Sequence, residues 1–400
     1  MRWIFWGAAG LIFYTYLGYA GWLWLRARLS PWPVQRAPQE PPISVVMVVR
    51  NEEQGLDCKM KNLLDLDYPP QLCQIIVVSD GSTDRTPEIL RQYACNPRVD
   101  VVLNQLPAGK AAGLNDALAL AGGDIVVFTD ARQSVERGAA RVLMEAFADP
   151  EVGGVSGELM LGDPASGESV NGMGLYWRVE KWIRELEARS GSAVGATGAL
   201  YAVRRALVPC IPSGTILDDV YIPMEVVRQG KRVIFEPRAR VWDAPFLGAE
   251  REFARKVRTL SGNYQLVQLA PWLLGKSNPA RLEFISHKLL RLITPFALVV
   301  AFVTAGLLPG SLYRTLWLLQ VAFYGMSLLA LLGMKRGPLA QAANAALTFA
   351  MLNTAAAVAF TNFVAGRETV WIAQGDERKD RDSGDDRGYV IRARSSRDRT

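Results

Sequence analysis

Apolar positions crowd both ends of this chain, and through its middle they alternate with polar breaks. From Trp3 to Leu25 no charged residue occurs, a run of about 23 residues that is long enough to span a bilayer. The run is too long for a secretory signal, and no small-residue cleavage site follows it. Three more runs of near-spanning length are expected near Leu289–Leu308, Leu312–Met334 and Leu339–Val364. Ser286, His287, Lys288 and Arg291 stand at the entry to the first of these, where cationic side chains can reach lipid headgroups.

The middle has a different rhythm. Ile43–Val49 is a continuous β-branched run, and Ile75–Ser79, Val99–Leu103 and Ile125–Thr129 repeat the theme. Helical patterns at Pro87–Tyr93 and Ala111–Ala121 lie between them. Strands alternating with helices predict an α/β fold: a mixed, mostly parallel sheet with helices on both faces. Val152–Met160 and Arg232–Glu236 read as further strands, and Gly172–Arg189 as an amphipathic helix.

Charge gives the chain an orientation. Arg26, Arg28 and Arg36 follow the first apolar run and only Arg2 precedes it, so the positive-inside rule places the next domain in the cytoplasm. A net charge of +6 would suit nucleic acid in a soluble protein. Here Lys and Arg cluster beside the apolar runs, which points to membrane lipids and away from nucleic acid. The single histidine, His287, excludes Ser-His-Asp chemistry and His-rich metal sites from the middle. Four scattered cysteines suggest neither a zinc ribbon nor a disulfide framework. Acid–base work therefore falls to carboxylates, Lys or Tyr.

In open parallel sheets, ligands bind beyond the carboxyl ends of the strands. Three predicted strands run into Arg50-Asn51-Glu52-Glu53, Asp80-Gly81-Ser82-Thr83-Asp84 and Asp130-Ala131-Arg132, so these groups should converge on one sheet edge. Each carboxylate alone also reads as a helix or turn cap. Lys110 stands in a Gly-rich segment at a helix start, a setting that favours anions.

The strings SVVMVVRNEE, VVSDGSTD, GKAAGLNDAL, IVVFTDARQ, ATGALYAVRR and ILDDVYIPMEVVRQGKRVIFEP occur in the order seen in family 2 glycosyltransferases. The chain resembles that family from Ile43 to Gln265, and its flanking helices resemble the membrane-bound chitin, cellulose, hyaluronan and poly-N-acetylglucosamine synthases. The resemblance implies a GT-A nucleotide-diphospho-sugar transferase domain and inverting transfer from a UDP-sugar donor to a lipid or glycan acceptor. It also assigns roles. Asn51 and Glu52 would lie near the nucleotide, Asp80 on the base, and Lys110 on the diphosphate. Asp130 would be the metal-binding Asp of the D-x-D element, holding Mg²⁺ or Mn²⁺, and Asp219 the general base.

Two departures matter. Arg132 replaces the second Asp of D-x-D, so metal binding is expected to weaken, or Arg132 to meet the diphosphate itself. Arg258 keeps the arginine of the Q-x-x-R-W element, but Thr259 stands where the acceptor-stacking Trp belongs. Single transfer to a lipid and processive exopolysaccharide synthesis therefore both remain open, with a catalytically degraded membrane scaffold that binds nucleotide-sugar as a third reading. The expected organisation is a membrane helix (1–27), a Pro-rich linker (28–42), a cytoplasmic catalytic domain (43–248), amphipathic interface helices (249–288), three membrane helices (289–366) and a charged, irregular tail (367–400). Such a chain would sit in the inner (plasma) membrane.

Overall fold

The N-terminal apolar run folds as a continuous helix: α1 (Arg2–Phe13) passes through a π-turn at Tyr14–Gly18 into α2 (Tyr19–Leu29). This is a computed structural model, and it describes residues 1–162, 175–244, 249–332, 337–367 and 389–391. The expected helix start at Gly172, the run end at Met334 and most of the charged tail lie outside them.

The linker leads into β1 (Ile43–Val49), all of whose residues are buried, as a strand covered on both faces requires. There follow α3 (Leu56–Leu64), β2 (Cys73–Asp80), α4 (Thr86–Tyr93), β3 (Val99–Asn104), α5 (Lys110–Leu120), β4 (Ile125–Thr129), β5 (Ser134–Val135) and α6 (Ala139–Glu145). After them come β6 (Val152–Leu161), α7 (Leu175–Ser190), β7 (Leu200–Arg204), α8 (Asp218–Arg228) and β8 (Arg232–Asp243). Alternate residues of β1 feed the two cores. Met47 and Val49 meet Leu56, Met60 and Leu63 of α3 and Leu143 of α6, whereas Val46 and Val48 meet Leu114 of α5 and Ile222 of α8. Each such side chain contributes roughly 1.5–3 kcal/mol by leaving water.

The sheet order is β5-β8-β6-β7-β4-β1-β2-β3-β9, where β9 is Tyr389–Ile391. β4-β1-β2-β3 is parallel, β7 is antiparallel to both β4 and β6, and β8 is parallel to β6. Tyr389–Ile391 pairs antiparallel with Val101–Leu103, so part of the expected irregular tail is an edge strand. β8 extends to Asp243, past the predicted end at Glu236, because its second half continues along β6 beyond a bulge.

There follow α9 (Ala249–Leu269), α10 (Arg281–Phe284), which continues through a π-turn into α11 (Leu290–Leu307) as one rod, α12 (Ser311–Leu331) and α13 (Pro338–Val364). Among the described residues, three helices are long and apolar enough to cross a membrane: Arg281–Leu307, Ser311–Leu331 and Leu339–Val364. The N-terminal helix is not among them by this measure of length and composition. Its polar-tipped Tyr14, Tyr16, Tyr19, Trp22 and Trp24 lower its apolar character, although Ile4, Phe13 and Leu17 are exposed. Small residues let it approach α11 closely, with Phe5 and Ala8 against Ala297, Ala301 and Ala305. Ala355 and Ala359 of α13 face Val257 of α9, and Phe363 stacks on Tyr264 at 4.9 Å.

The residues expected to reach headgroups turn inward instead. His287 bridges two buried carboxylates, Nδ1 to Glu187 Oε1 at 2.8 Å and Nε2 to Glu180 Oε1 at 3.0 Å. Arg291 donates to Glu180 (2.6 Å), Tyr19 to Glu187 (2.6 Å), and Ser286 meets Tyr14 (2.8 Å). The cause is the carboxylates on α7, which once buried require charged or hydrogen-bonded partners. Burial opposes their ionisation, yet Arg291 and His287 hold Glu180 well below the usual carboxylate range.

Candidate active site

β1 and β2 run in register from Ile43↔Cys73 to Val49↔Ser79, and β4 lies on the other side of β1. Their following loops therefore meet at one edge, as expected of parallel strands. The first two loops are braced reciprocally. Asn51, with φ +53°, accepts on Oδ1 from the Thr83 N–H (2.8 Å) and donates its own N–H to Ser82 (3.2 Å). Glu53 N–H donates to Asp84 (3.0 Å), and Arg85 N–H donates to Glu53 (3.1 Å). The Glu52 N–H donates to Thr86 Oγ1 at 2.9 Å. Burial raises the Glu52 pKa, with Arg132 opposing and Asp84 and Asp130 reinforcing, so Glu52 shares its surroundings with the third loop.

Asp80 ends β2 fully buried, and both its oxygens accept backbone N–H groups, from Ala108 (2.7 Å) and Gly109 (2.9 Å). It thereby fixes the loop that delivers Lys110. Gly81 is required beside it: at φ +60° a Cβ would lie 2.4 Å from Pro107 N. Burial raises the Asp80 pKa despite these bonds.

Lys110, at the start of α5, bridges two carboxylates, Asp130 Oδ1 at 3.0 Å and Asp218 Oδ1 at 3.2 Å. Burial works against its charge, but Asp130, Asp218 and Asp219 outweigh it and raise its pKa. Asp218 and Asp219 occupy the first turn of α8, where the helix dipole favours anions. A Cβ on Gly198 would lie 3.2 Å from Asp219 Oδ2 and 3.7 Å from Asp130 Oδ2. The two carboxylates thus face each other across a residue that has no side chain. Asp219 is pushed up to about 6, by burial first and then by Asp218, with Lys110 and Lys288 opposing. Beneath them Tyr201 stacks on Phe128 at 4.6 Å, and burial together with these aspartates raises its pKa well above the ordinary value.

Arg132 does not point freely into the crevice. It grips Asp243 at the end of β8 through two bonds, Nε to Oδ1 at 3.1 Å and Nη2 to Oδ2 at 2.8 Å, and Gln133 adds a third at 3.1 Å. Arg132→Ala would remove both guanidinium bonds from buried Asp243 and leave it the Gln133 bond. We expect a loss of about 2 kcal/mol, below the roughly 3–5 kcal/mol of a fully enclosed pair because Arg132 is 41% exposed. Urea titration of wild type and variant measures it. Arg258 lies half-buried on α9. One turn earlier, Arg255 is the α9 cation that interacts with Arg132 and Asp243.

Asp130 Oδ1 is engaged by Lys110, while Oδ2 faces the gap at Gly198. Among the described residues no group of three or more His, Cys, Asp or Glu is placed to hold a metal by itself. One carboxylate completed by substrate phosphates and water is nonetheless a common shell for Mg²⁺, so Asp130 fits a cation that arrives with an anionic ligand.

Asp243, Gly198, Tyr201 and Lys59 escaped the sequence reading. Lys59 had a signal: with Leu56, Met60 and Leu63 it occupies one face of α3, a lysine on the buried stripe of a helix. Its ammonium is fully buried and donates to Thr129 Oγ1 (2.9 Å) and the Gln133 carbonyl (2.7 Å). Burial pushes its pKa down to about 7, against the pull of Asp130.

The sequence pattern of the family described as Glycosyl transferase family 2 matches residues 44–211. The chain is 29% identical over 186 residues to the beta-monoglucosyldiacylglycerol synthase of Synechocystis sp., covering 45% of this chain and 39% of that one. It is 21% identical over 266 residues to the poly-beta-1,6-N-acetyl-D-glucosamine synthase of Staphylococcus epidermidis, covering 66% and 64%. The chain therefore spans only part of the length of these curated relatives. Its fold is that of the mannosyltransferase PcManGT from Pyrobaculum calidifontis, solved with GDP-Man and Mn²⁺, at a TM-score of 0.70 and 22% identity over 91% of this chain and 99% of that chain.

Proposed function

We propose that this chain, which carries a family 2 glycosyl transferase domain, moves a sugar with inversion from a nucleotide-diphospho-sugar, a UDP-sugar, to a lipid or glycan acceptor at a membrane surface. One observation carries the reading. A carboxylate raised to about 6, Asp219, faces Asp130 across Gly198 while Lys110 ties Asp130 to Asp218.

That pairing supplies what an inverting displacement needs. Asp219 accepts the proton of the acceptor hydroxyl as its oxygen bonds to the anomeric carbon. On the opposite face the bond to the diphosphate breaks, and Lys110 stabilises the departing charge. Asn51 and Glu52 hold the nucleoside end, buried Asp80 acts on it only through the Ala108–Gly109 loop that it fixes, and Arg132 and Arg258 add positive charge around the crevice. Mg²⁺ or Mn²⁺ held by Asp130 would supply further neutralisation of the diphosphate. The apolar helices anchor the enzyme in a plasma membrane, and Arg26, Arg28 and Arg36 keep the catalytic domain on the cytoplasmic side.

Thr259 favours single transfer over chain extension: it is exposed on α9 and its hydroxyl turns back to the Arg255 carbonyl at 3.0 Å, offering no stacking face. The test is incubation of the purified full chain with labelled UDP- and GDP-sugars and a lipid extract, with Asp219→Asn as blank. A discrete glycolipid band is expected. A high-mass ladder would establish processive synthesis instead, and nucleotide binding without transfer would favour the scaffold reading.

A further inference from the structure

Lys59 is a buried cation that the proposed chemistry leaves unused. It is 3% exposed, and its two hydrogen bonds go to neutral oxygens, Thr129 Oγ1 and the Gln133 carbonyl. A charge withdrawn from water without a carboxylate bonded to it is costly. Its placement gives the cost a use. Thr129 and Gln133 bracket the loop that carries Asp130 and Arg132, so one ammonium closes both ends of that loop. Thr129 Oγ1 also donates to the Ala199 carbonyl at 2.9 Å, and Ala199 follows Gly198. The chain of bonds from Lys59 thus reaches both walls of the crevice, the one bearing Asp130 and the one across which Asp219 faces it. Lys110 meets Asp130 from α5, while Lys59 approaches from α3 on the other face of the sheet.

We propose that Lys59 is a positioning residue for the donor diphosphate: its two hydrogen bonds set the Asp130 loop and the Gly198 wall at the separation the diphosphate requires. This rests on the reading of the crevice as a nucleotide-sugar site. Lys59 touches no substrate and acts through Thr129 and Gln133.

The experiment uses the full chain and two readouts, UDP affinity by calorimetry and donor KM, with melting temperature measured alongside. Lys59→Met keeps the side-chain length and removes the charge. Replacing a buried charged group by an apolar one of similar volume is often neutral or stabilising. The expected result is an unchanged or higher melting temperature, UDP affinity and kcat/KM for the donor each reduced on the order of tenfold or more, and an unchanged acceptor KM. UDP affinity and donor KM equal to wild type would overturn the proposal. So would a loss that tracks a fallen melting temperature and affects donor and acceptor alike. If Lys59→Met does not fold, Thr129→Val decides, because it keeps the strand shape and severs the bonds at Oγ1, those to Lys59 and Ala199 included. Weaker UDP binding then supports the role and unchanged binding overturns it. Wild type that binds no nucleotide diphosphate overturns the functional reading itself, an outcome distinct from equal binding by wild type and variant.

Discussion

Asp219→Asn is expected to lower kcat on the order of 10³-fold, within the range for loss of a general base, while leaving donor affinity near wild type. The amide keeps the shape and the first-turn position on α8 but cannot accept the acceptor's proton. Its melting temperature should not fall, because the carboxylate it replaces ionises against burial and against Asp218. The sign of the pH dependence follows from the same shift. Asp219 must be unprotonated to work, so transfer by wild type declines as pH falls through about 6, whereas the residual rate of the variant lacks that limb. Initial rates from pH 5 to 9 at saturating donor give both results. Wild-type turnover in the variant would remove Asp219 from the mechanism and leave its raised pKa as a by-product of packing.

Lys110→Met should reduce kcat/KM for the donor on the order of 10²-fold, the scale for removing one preorganised donor from a developing charge. Unlike Asp219→Asn, this change acts on donor KM as well, because Lys110 serves bound and departing diphosphate alike. It also moves the acid limb. Lys110 lowers the Asp219 pKa, so without it the limb shifts to higher pH. A fall in activity with an unmoved limb would mean that Lys110 binds the donor without tuning the base. Steady-state rates with donor varied at several pH values separate the two.

The strands that place the crevice were legible because their composition leaves little choice. Ile43–Val49 and Ile125–Thr129 are runs of apolar, mostly β-branched residues that stop on polar ones, and they fold over those same residues. Asn51, Glu52, Asp80 and Asp130 follow such strands directly, so the parallel topology alone carries their loops to one edge. Lys110 and Asp219 open helices, where short-range signals suffice. What stayed hidden depends on distant packing. β7 (Leu200–Arg204) follows a Gly-rich stretch with no clear periodicity and becomes a strand only by pairing with β4 and β6. Asp243 acquires its partner because a bulge carries β8 on along β6, and nothing local to Arg132 announces it. His287 looked like a headgroup contact because the carboxylates that enclose it lie about 100 residues earlier, on a helix that is buried only when α2 and α11 dock against it.

The pairing of Tyr389–Ile391 with Val101–Leu103 has a topological consequence. A hydrogen-bonded ladder cannot straddle a bilayer, so that segment shares a compartment with the sheet. We infer that between α9 and β9 the chain traverses the lipid an even number of times. Three helices in that stretch are long and apolar enough to do so, and parity excludes one. α13 meets α9 through Ala355, Ala359 and the stacked Phe363. We propose on this count that α11 and α12 form the out-and-back pair and that α13 is a floor beam on which the interface helix rests.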